Sequence, residues 1–328
     1  MAAVAETIVA HGIGDGILNV NKPAGWTSHD VVAKVRGLLR DSKVGHAGTL
    51  DPAATGVLPI LVNRGTRIAE YLLEWDKEYR AVLRLGQTTD TQDATGTVLA
   101  TRSLDGLTEE RIREAVARFC GRITQLPPMY SAVKVAGERL YKSARAGRTV
   151  EREPRMVEVH EIDVLGIAGP DVTMRVRCSK GTYVRTLCAD IGETLEIGGH
   201  LRSLERTRVG PLAVEQALTL DDVGARMLAG RLSDDLLSLV AALGMLPALV
   251  VDGQTAVRVR HGGAVPPGAG RWVAGPQGTP SVVRVQDAAG CLLAVGKVSM
   301  GAAGSAEGEA VPEVKIEKVF VDADAATN

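Results

Sequence analysis

The chain has 328 residues, longer than the roughly 100–200 of a single ordinary core, so two domains are expected, one large and one small. Its 45% hydrophobic and 23% charged residues exclude a disordered chain and supply a sizeable core. A formal net charge of −1 excludes a uniformly basic coat, and an aromatic content of 3% argues against an RNA surface of stacking platforms, leaving Arg, Lys and shape for any RNA contact.

Met1 to Gly16 lacks a basic segment followed by an apolar core, so no secretory signal is visible and a cytoplasmic location is expected; residues 1–15 read as a flexible leader. Gly16 to Lys22 reads as a short strand ended by the turn Pro23-Ala24-Gly25. Thr27 or Ser28 then caps a helix on which Val31, Val32, Val35, Leu38 and Leu39 recur at the helical period. A glycine-rich loop carries Asp51, followed by an apolar strand from Val57 to Val62 and a helix over about Thr66 to Leu73. Tyr79 to Leu85 alternates as a strand, and Thr108 with Glu109 and Glu110 opens a helix running to about Phe119.

From Gln125 to Arg155 the pattern weakens into a mobile insertion. Between Lys134 and Arg155 it holds seven basic residues against three acids. Val172 to Cys178 alternates as a strand that turns through Lys180-Gly181 into a helix with Tyr183, Leu187, Ile191 and Leu195. The apolar run Leu236 to Val251 is shorter than the ~20 residues of a membrane span and reads as a buried helix. Beyond it, short β-like runs (Ala256–Val259, Val282–Val285, Leu292–Val298) suggest a small β unit, and the stretch from Gly301 onward is acidic.

Cys120, Cys178, Cys188 and Cys291 are too far apart for a zinc or redox pair and are expected to be buried thiols; the six histidines show no metal-ligand spacing, so no metal is expected. No phosphate-loop or dinucleotide glycine motif is present, so the chemistry is expected to need no cofactor. Pro52 restricts the backbone of Asp51, which would hold the carboxylate outward, although Asp-Pro in a glycine-rich turn is also ordinary turn chemistry. A lone loop histidine such as His46 is likewise ambiguous. Arg185 would keep a nearby Asp ionised, but sequence alone does not pair it with Asp51.

Six motifs then coincide in order. They are Lys22-Pro23; Gly45-His46-Ala47-Gly48-Thr49-Leu50-Asp51-Pro52-Ala53-Ala54-Thr55-Gly56; Lys77-Glu78-Tyr79; Asp90-Thr91-Gln92-Asp93; Met129-Tyr130-Ser131-Ala132; and Lys180-Gly181-Thr182-Tyr183-Val184-Arg185. Over Gly16 to Gly210 the chain resembles the TruB-type tRNA pseudouridine synthases.

The resemblance implies an α+β (mixed α/β) fold, with a catalytic domain (16–246) on a mixed, largely antiparallel sheet flanked by helices. It also implies a small PUA-like RNA-binding β domain (247–321), before a flexible tail at 322–328. It implies isomerisation of uridine to pseudouridine in the T-loop (position 55) of tRNA, on a flipped-out base and without cofactor. Asp51 would be the nucleophile, Tyr79 would stack on the uracil and assist proton removal from carbon 5, and Arg185 would pair with Asp51. Asp93 would orient Arg185; Tyr183 and Leu204 would line the nucleotide pocket; His46 and Lys22 would contact substrate. Lys134, Arg139, Lys142, Arg145 and Arg148 would clamp the RNA backbone of the T-arm.

A monomer with no membrane association is expected. Two other readings remain open: a tRNA-binding folding chaperone that needs no catalysis, and a glycoside hydrolase with Asp93 as the second carboxylate.

Overall fold

The computed structural model describes residues 13–40, 42–131, 133–135, 137–140, 143, 147–148, 150–273, 281–300 and 312–321. The first strand, β1 (Gly16–Lys22), is almost wholly buried and leads into α1 (Ser28–Leu39). Thr27 caps that helix: its hydroxyl accepts from the Asp30 amide while the Asp30 carboxylate accepts from the Thr27 amide, satisfying two donors a helix start leaves open. Val31, Val32, Val35 and Leu39 form the buried stripe.

A short β2 (Val44–His46) and β3 (Thr55–Val62) follow, antiparallel to each other and separated by the Asp51 loop. In place of the expected helix over Thr66 to Leu73 there is a 3-10 segment, Asn63–Ile68, then a single turn, α2 (Ala69–Leu72). Ile68, Tyr71 and Leu72 reach the core from that tighter winding.

On β4 (Lys77–Leu85), Lys77, Tyr79, Ala81, Leu83 and Leu85 point inward in strict alternation. A hairpin of β5 (Gln87–Thr89) and β6 (Val98–Thr101), then α3 (Glu109–Ala117) and β7 (Gly121–Gln125), lead to the insertion, whose described part contains the hairpin of β8 (Lys134–Val135) and β9 (Glu138–Arg139). The long β10 (Arg155–Ala168) and β11 (Asp171–Cys178) precede α4 (Val184–Thr194), β12 (Gly199–Val209), β13 (Leu212–Ala213) and α5 (Leu220–Leu228).

Apart from the β5–β6 and β8–β9 hairpins, these strands and β14 (Leu236–Leu237) make one sheet, in the order β14-β1-β3-β12-β4-β11-β10-β7 with β2 and β13 at its side. Every pairing is antiparallel except β3 with β12, so the sheet is mixed and largely antiparallel as expected. That one parallel contact brings Gly56, just after the Asp51 loop, against Arg206. Gly56 has φ +99°, and a Cβ there would stand 2.3 Å from the Arg206 carbonyl oxygen. Gly56→Ala therefore combines backbone strain with overpacking and is expected to lower stability by about 2–6 kcal/mol; a denaturant midpoint unchanged from wild type would contradict this.

The apolar run Leu236–Val251 is not one helix. It divides into β14, the short α6 (Leu239–Ala242), a turn, and β15 (Ala248–Val250). Gly244 and Pro247 fall in the turn, where proline opposes continuation of a helix.

A separate C-terminal sheet follows, ordered β16 (Arg271–Val273), β15, β17 (Val282–Gln286), β18 (Leu292–Met300) and β19 (Pro312–Val319). The expected strand at Ala256–Val259 is instead part of α7 (Gly253–Arg260): Asp252 accepts the Thr255 amide at 2.7 Å as N-cap, and Thr255, Ala256 and Val259 face inward. Leu292, Val295 and Phe320 join Tyr71, Trp75 and Leu239 in one apolar cluster, so this sheet packs on the body built around the large sheet.

Residues 13–15, assigned to the leader from sequence, are tied down: Ile13 is buried and Asp15 pairs with Arg64 at 2.7 Å. The rest of the leader, and the tail at 322–328, lie outside the described residues. Cys178 and Cys188 are buried, but Cys120 and Cys291 are exposed, contrary to expectation, because they fall in turns rather than on inward strand or helix positions. Among the described residues, no helix is long and apolar enough to cross a membrane.

Candidate active site

The Asp51 loop is fixed from three directions. The Ser28 hydroxyl accepts the Leu50 amide at 2.9 Å and donates to its carbonyl at 3.2 Å. From β12, Arg206 donates through Nη2 to the Gly48 carbonyl (3.1 Å) and through Nε to the Val57 carbonyl (2.7 Å). Lys22 closes the third side, its ammonium donating to the carbonyls of Pro23 (2.9 Å), Trp26 (2.7 Å) and Pro52 (3.1 Å).

The last contact corrects the sequence reading. Lys22 is fully buried and its three N–H groups already have three acceptors, so it holds the loop and has no donor left for substrate. Burial pulls its pKa down to about 8 although Asp51 opposes the shift.

Asp51 meets Arg185 directly, Nε to Oδ2 at 2.9 Å. Arg185 lies in the first turn of α4 and is only 5% exposed, whereas the Asp51 side chain remains 42% exposed at the mouth of the site. The guanidinium also donates to the carbonyls of Tyr130 (2.7 Å) and Thr91 (3.4 Å), and Asp93 Oδ2 lies 3.7 Å from Nη1. Asp93 is itself held through Oδ1, which accepts from the Thr91 hydroxyl and from the Thr95 amide and hydroxyl. Burial pushes the Asp51 pKa above the ordinary carboxylate value, and Arg185 is the main opposing charge. A carboxylate oriented by one cation and still accessible has the features of a nucleophile.

Tyr79 is 8% exposed on β4, directly opposite Arg206 in the register with β12. Burial pushes its hydroxyl up to about 12 and Arg206 opposes that rise. Leu204, two residues before Arg206, is partly buried against the same core cluster as Tyr79. Tyr183, the residue before α4, is half-buried; its amide and carbonyl are both engaged by the side-chain amide of Gln125, at 3.0 and 3.3 Å.

His46 ends β2 and stands edge-on to His29, ring centres 5.7 Å apart. Burial lowers its pKa to about 4, so it is neutral at physiological pH, and its Nδ1 is buried without a hydrogen-bond partner.

The basic insertion is less complete. Lys142 and Arg145 lie outside the described residues, and of Lys134 and Arg139 only the backbone is described, in the β8–β9 hairpin. Arg148 is exposed and bonds to Glu138 at 3.0 Å. Among the described residues, no group of three or more His, Cys, Asp or Glu is placed to hold a metal ion.

The residue that sequence reasoning passed over is Arg206. In Leu201-Arg202-Ser203-Leu204-Glu205-Arg206 only Leu204 drew notice, yet Arg206 lies two positions on and shares its side of the strand. Gln125 was passed over too, read only as the start of the insertion.

Comparison with known proteins gives the family. The family described as TruB family pseudouridylate synthase (N terminal domain) matches residues 36–184, and the tRNA pseudouridylate synthase B C-terminal domain matches residues 185–244. The tRNA pseudouridine synthase B of Symbiobacterium thermophilum is 50% identical over 251 residues, 76% of this chain and 82% of that protein. That of Burkholderia mallei is 46% identical over 288 residues, 88% of this chain and 94% of that protein. Among solved structures, a Cbf5-Nop10-Gar1 complex aligns with TM-score 0.72 and 32% identity, covering 95% of this chain and 87% of that one. An archaeal box H/ACA sRNP Nop10-Cbf5 complex aligns with TM-score 0.71 and 29% identity, covering 95% and 88%. With half its residues identical to such a relative across three quarters of its length, the chain belongs to the TruB family of pseudouridylate synthases.

Proposed function

We propose that this protein converts uridine to pseudouridine in the T-loop (position 55) of tRNA, with Asp51 as nucleophile on a flipped-out base and without a cofactor. The observation that carries the reading is the Asp51–Arg185 pair, a carboxylate held at 2.9 Å by a buried guanidinium yet itself partly exposed, with the buried Tyr79 near enough to feel its charge. The tRNA substrate is supported by the names of the close relatives.

A glycosidic carbon inside a stacked loop is out of reach of any side chain, so the uridine must leave the stack, at a cost of a few kcal/mol that binding offsets. Asp51 then bonds to the sugar or base as the glycosidic bond opens, the uracil turns, and the sugar rejoins at carbon 5 as the bond to Asp51 breaks and its electron pair returns to the carboxylate. Tyr183 and Leu204 wall the pocket for the base, and His46, uncharged, contacts the displaced nucleotides. Asp93 keeps Arg185 in place.

The hydrolase reading is weaker because a second catalytic carboxylate would have to deliver a proton. Asp93 instead accepts three hydrogen bonds at one oxygen and faces Arg185 with the other. The C-terminal sheet is proposed to be a PUA-like RNA-binding unit, and the insertion a clamp on the T-arm backbone. The protein is proposed to act as a cytoplasmic monomer.

Nucleotide-resolution mapping of pseudouridine in RNA from cells lacking the protein tests the reading: the T-loop signal in tRNA should vanish, and its persistence would refute the assignment. RNA affinity should also fall with salt. Three backbone contacts correspond to about a 40-fold loss between about 50 and about 200 mM monovalent salt, and His46→Ala should weaken binding without changing that slope. A dissociation constant independent of salt would rule out the clamp.

A further inference from the structure

Arg206 is a buried cation without an anion. It is 2% exposed, and among the described residues no carboxylate pairs with it. Burying a guanidinium this way is costly unless its donors are used. Three of its five N–H groups go to the carbonyls of Val57, Gly48 and Thr49, the last at 3.5 Å, which ties it to both ends of the Asp51 loop. Tyr79 is its partner across the β4–β12 register, and the two side chains act on each other there: the guanidinium lowers the tyrosine's pKa. The arginine that ties down the Asp51 loop is thus the same one that stands opposite the tyrosine.

From this geometry we infer that Arg206 is a positioning residue for proton removal from carbon 5: it aims the Tyr79 oxygen at the rejoined uracil and supports negative charge on it, while fixing the Asp51 loop at the matching distance. The inference rests on the proposed pseudouridine reaction. In that step the C5–H bond breaks and its electron pair becomes the C5=C6 double bond. The former C6=N1 pair takes a proton from water at N1, and the carbon-5 proton goes to the Tyr79 oxygen, which must carry negative charge to receive it. Because a guanidinium only donates, the Tyr79 oxygen is always the acceptor toward Arg206, which fixes its orientation. Arg206 also works against the rise in the tyrosine's pKa that burial causes, so its loss would make the anionic form scarcer.

The test is a double-mutant cycle of Arg206→Lys and Tyr79→Phe in single-turnover conversion of a T-arm stem-loop, with uridine or 5-deuterouridine at the target. Arg206→Lys is expected to slow conversion by about a hundredfold, the lower end of what a positioned proton acceptor contributes, with RNA affinity unchanged. It should bring out a deuterium isotope effect absent from wild type, and adding it to Tyr79→Phe should slow that enzyme no further. Losses that multiply, or a slowed Arg206→Lys enzyme with no isotope effect, would overturn the inference. If Arg206→Lys does not fold, arginine side-chain ¹⁵N resonances of wild type and Tyr79→Phe decide: the Arg206 signal should move when the hydroxyl is removed, and an unmoved signal overturns the contact. A wild-type protein that makes no pseudouridine would sink the reaction itself, a result distinct from either outcome for Arg206.

Discussion

Asp51→Asn is expected to reduce single-turnover pseudouridine formation by at least ~10⁴-fold while leaving RNA affinity within a few fold of wild type. The amide matches the carboxylate in shape and still accepts from Arg185 through its oxygen, so the loop held by Lys22, Ser28 and Arg206 should not rearrange. In the proposed mechanism what disappears is the anionic nucleophile, worth more than ~5 kcal/mol of transition-state stabilisation at that rate loss. Equal losses in rate and in binding would point to collapse of the cleft instead, which a melting curve on the same sample would detect.

The second large effect is at Arg185. Replacing it by Met removes the donor to Asp51, the neighbour of Asp93 and the partner of the Tyr130 and Thr91 carbonyls together. A rate loss of about 10²–10³-fold is expected, typical of removing a preorganised electrostatic partner, with about 1–3 kcal/mol of stability from the orphaned acceptors.

The pH profile carries the more specific signature. Burial raises the Asp51 pKa and Arg185 is the largest charge opposing that rise. In the proposed mechanism the reactive form is the carboxylate, so kcat/KM should fall as pH drops through the folded-state pKa, and in wild type this acid limb should lie above the ordinary carboxylate value of about 3.9. Without Arg185 the burial effect is unopposed, and the limb should move to still higher pH. A limb that stayed in place, or moved down, would mean that the titrating group is not Asp51.

How much of this was legible in the chain depended on distance along it. Helix α1 was readable because its signals are local: Thr27, Asp30 and the Val31-Val32-Val35-Leu39 stripe all lie within four turns. The Asp51 loop could be recognised as a motif, but the meaning of Lys22 could not, because one of its three acceptors, Pro52, lies thirty residues away and closes on it only in the folded chain.

Arg206 was hidden for a similar reason. Strand alternation alone makes a surface Arg the ordinary reading, and only the register of β12 with β4 and β3 turns it toward Tyr79 and Gly48. The run Leu236–Val251 misled because continuous apolar sequence fits buried helix and buried strand alike; Gly244 and Pro247 were the punctuation that mattered. At Ala256–Val259 the short β-like composition was outweighed by the Asp252 cap and the burial of one helix face.

The central claim is isomerisation through Asp51, and the most direct measurement is the identity of the nucleoside released after digestion of a T-arm stem-loop treated with purified wild-type protein or Asp51→Asn. Pseudouridine at the T-loop position with wild type, no free uracil, and unchanged uridine with Asp51→Asn is the predicted result. Free uracil from wild type, or pseudouridine from Asp51→Asn, would contradict it.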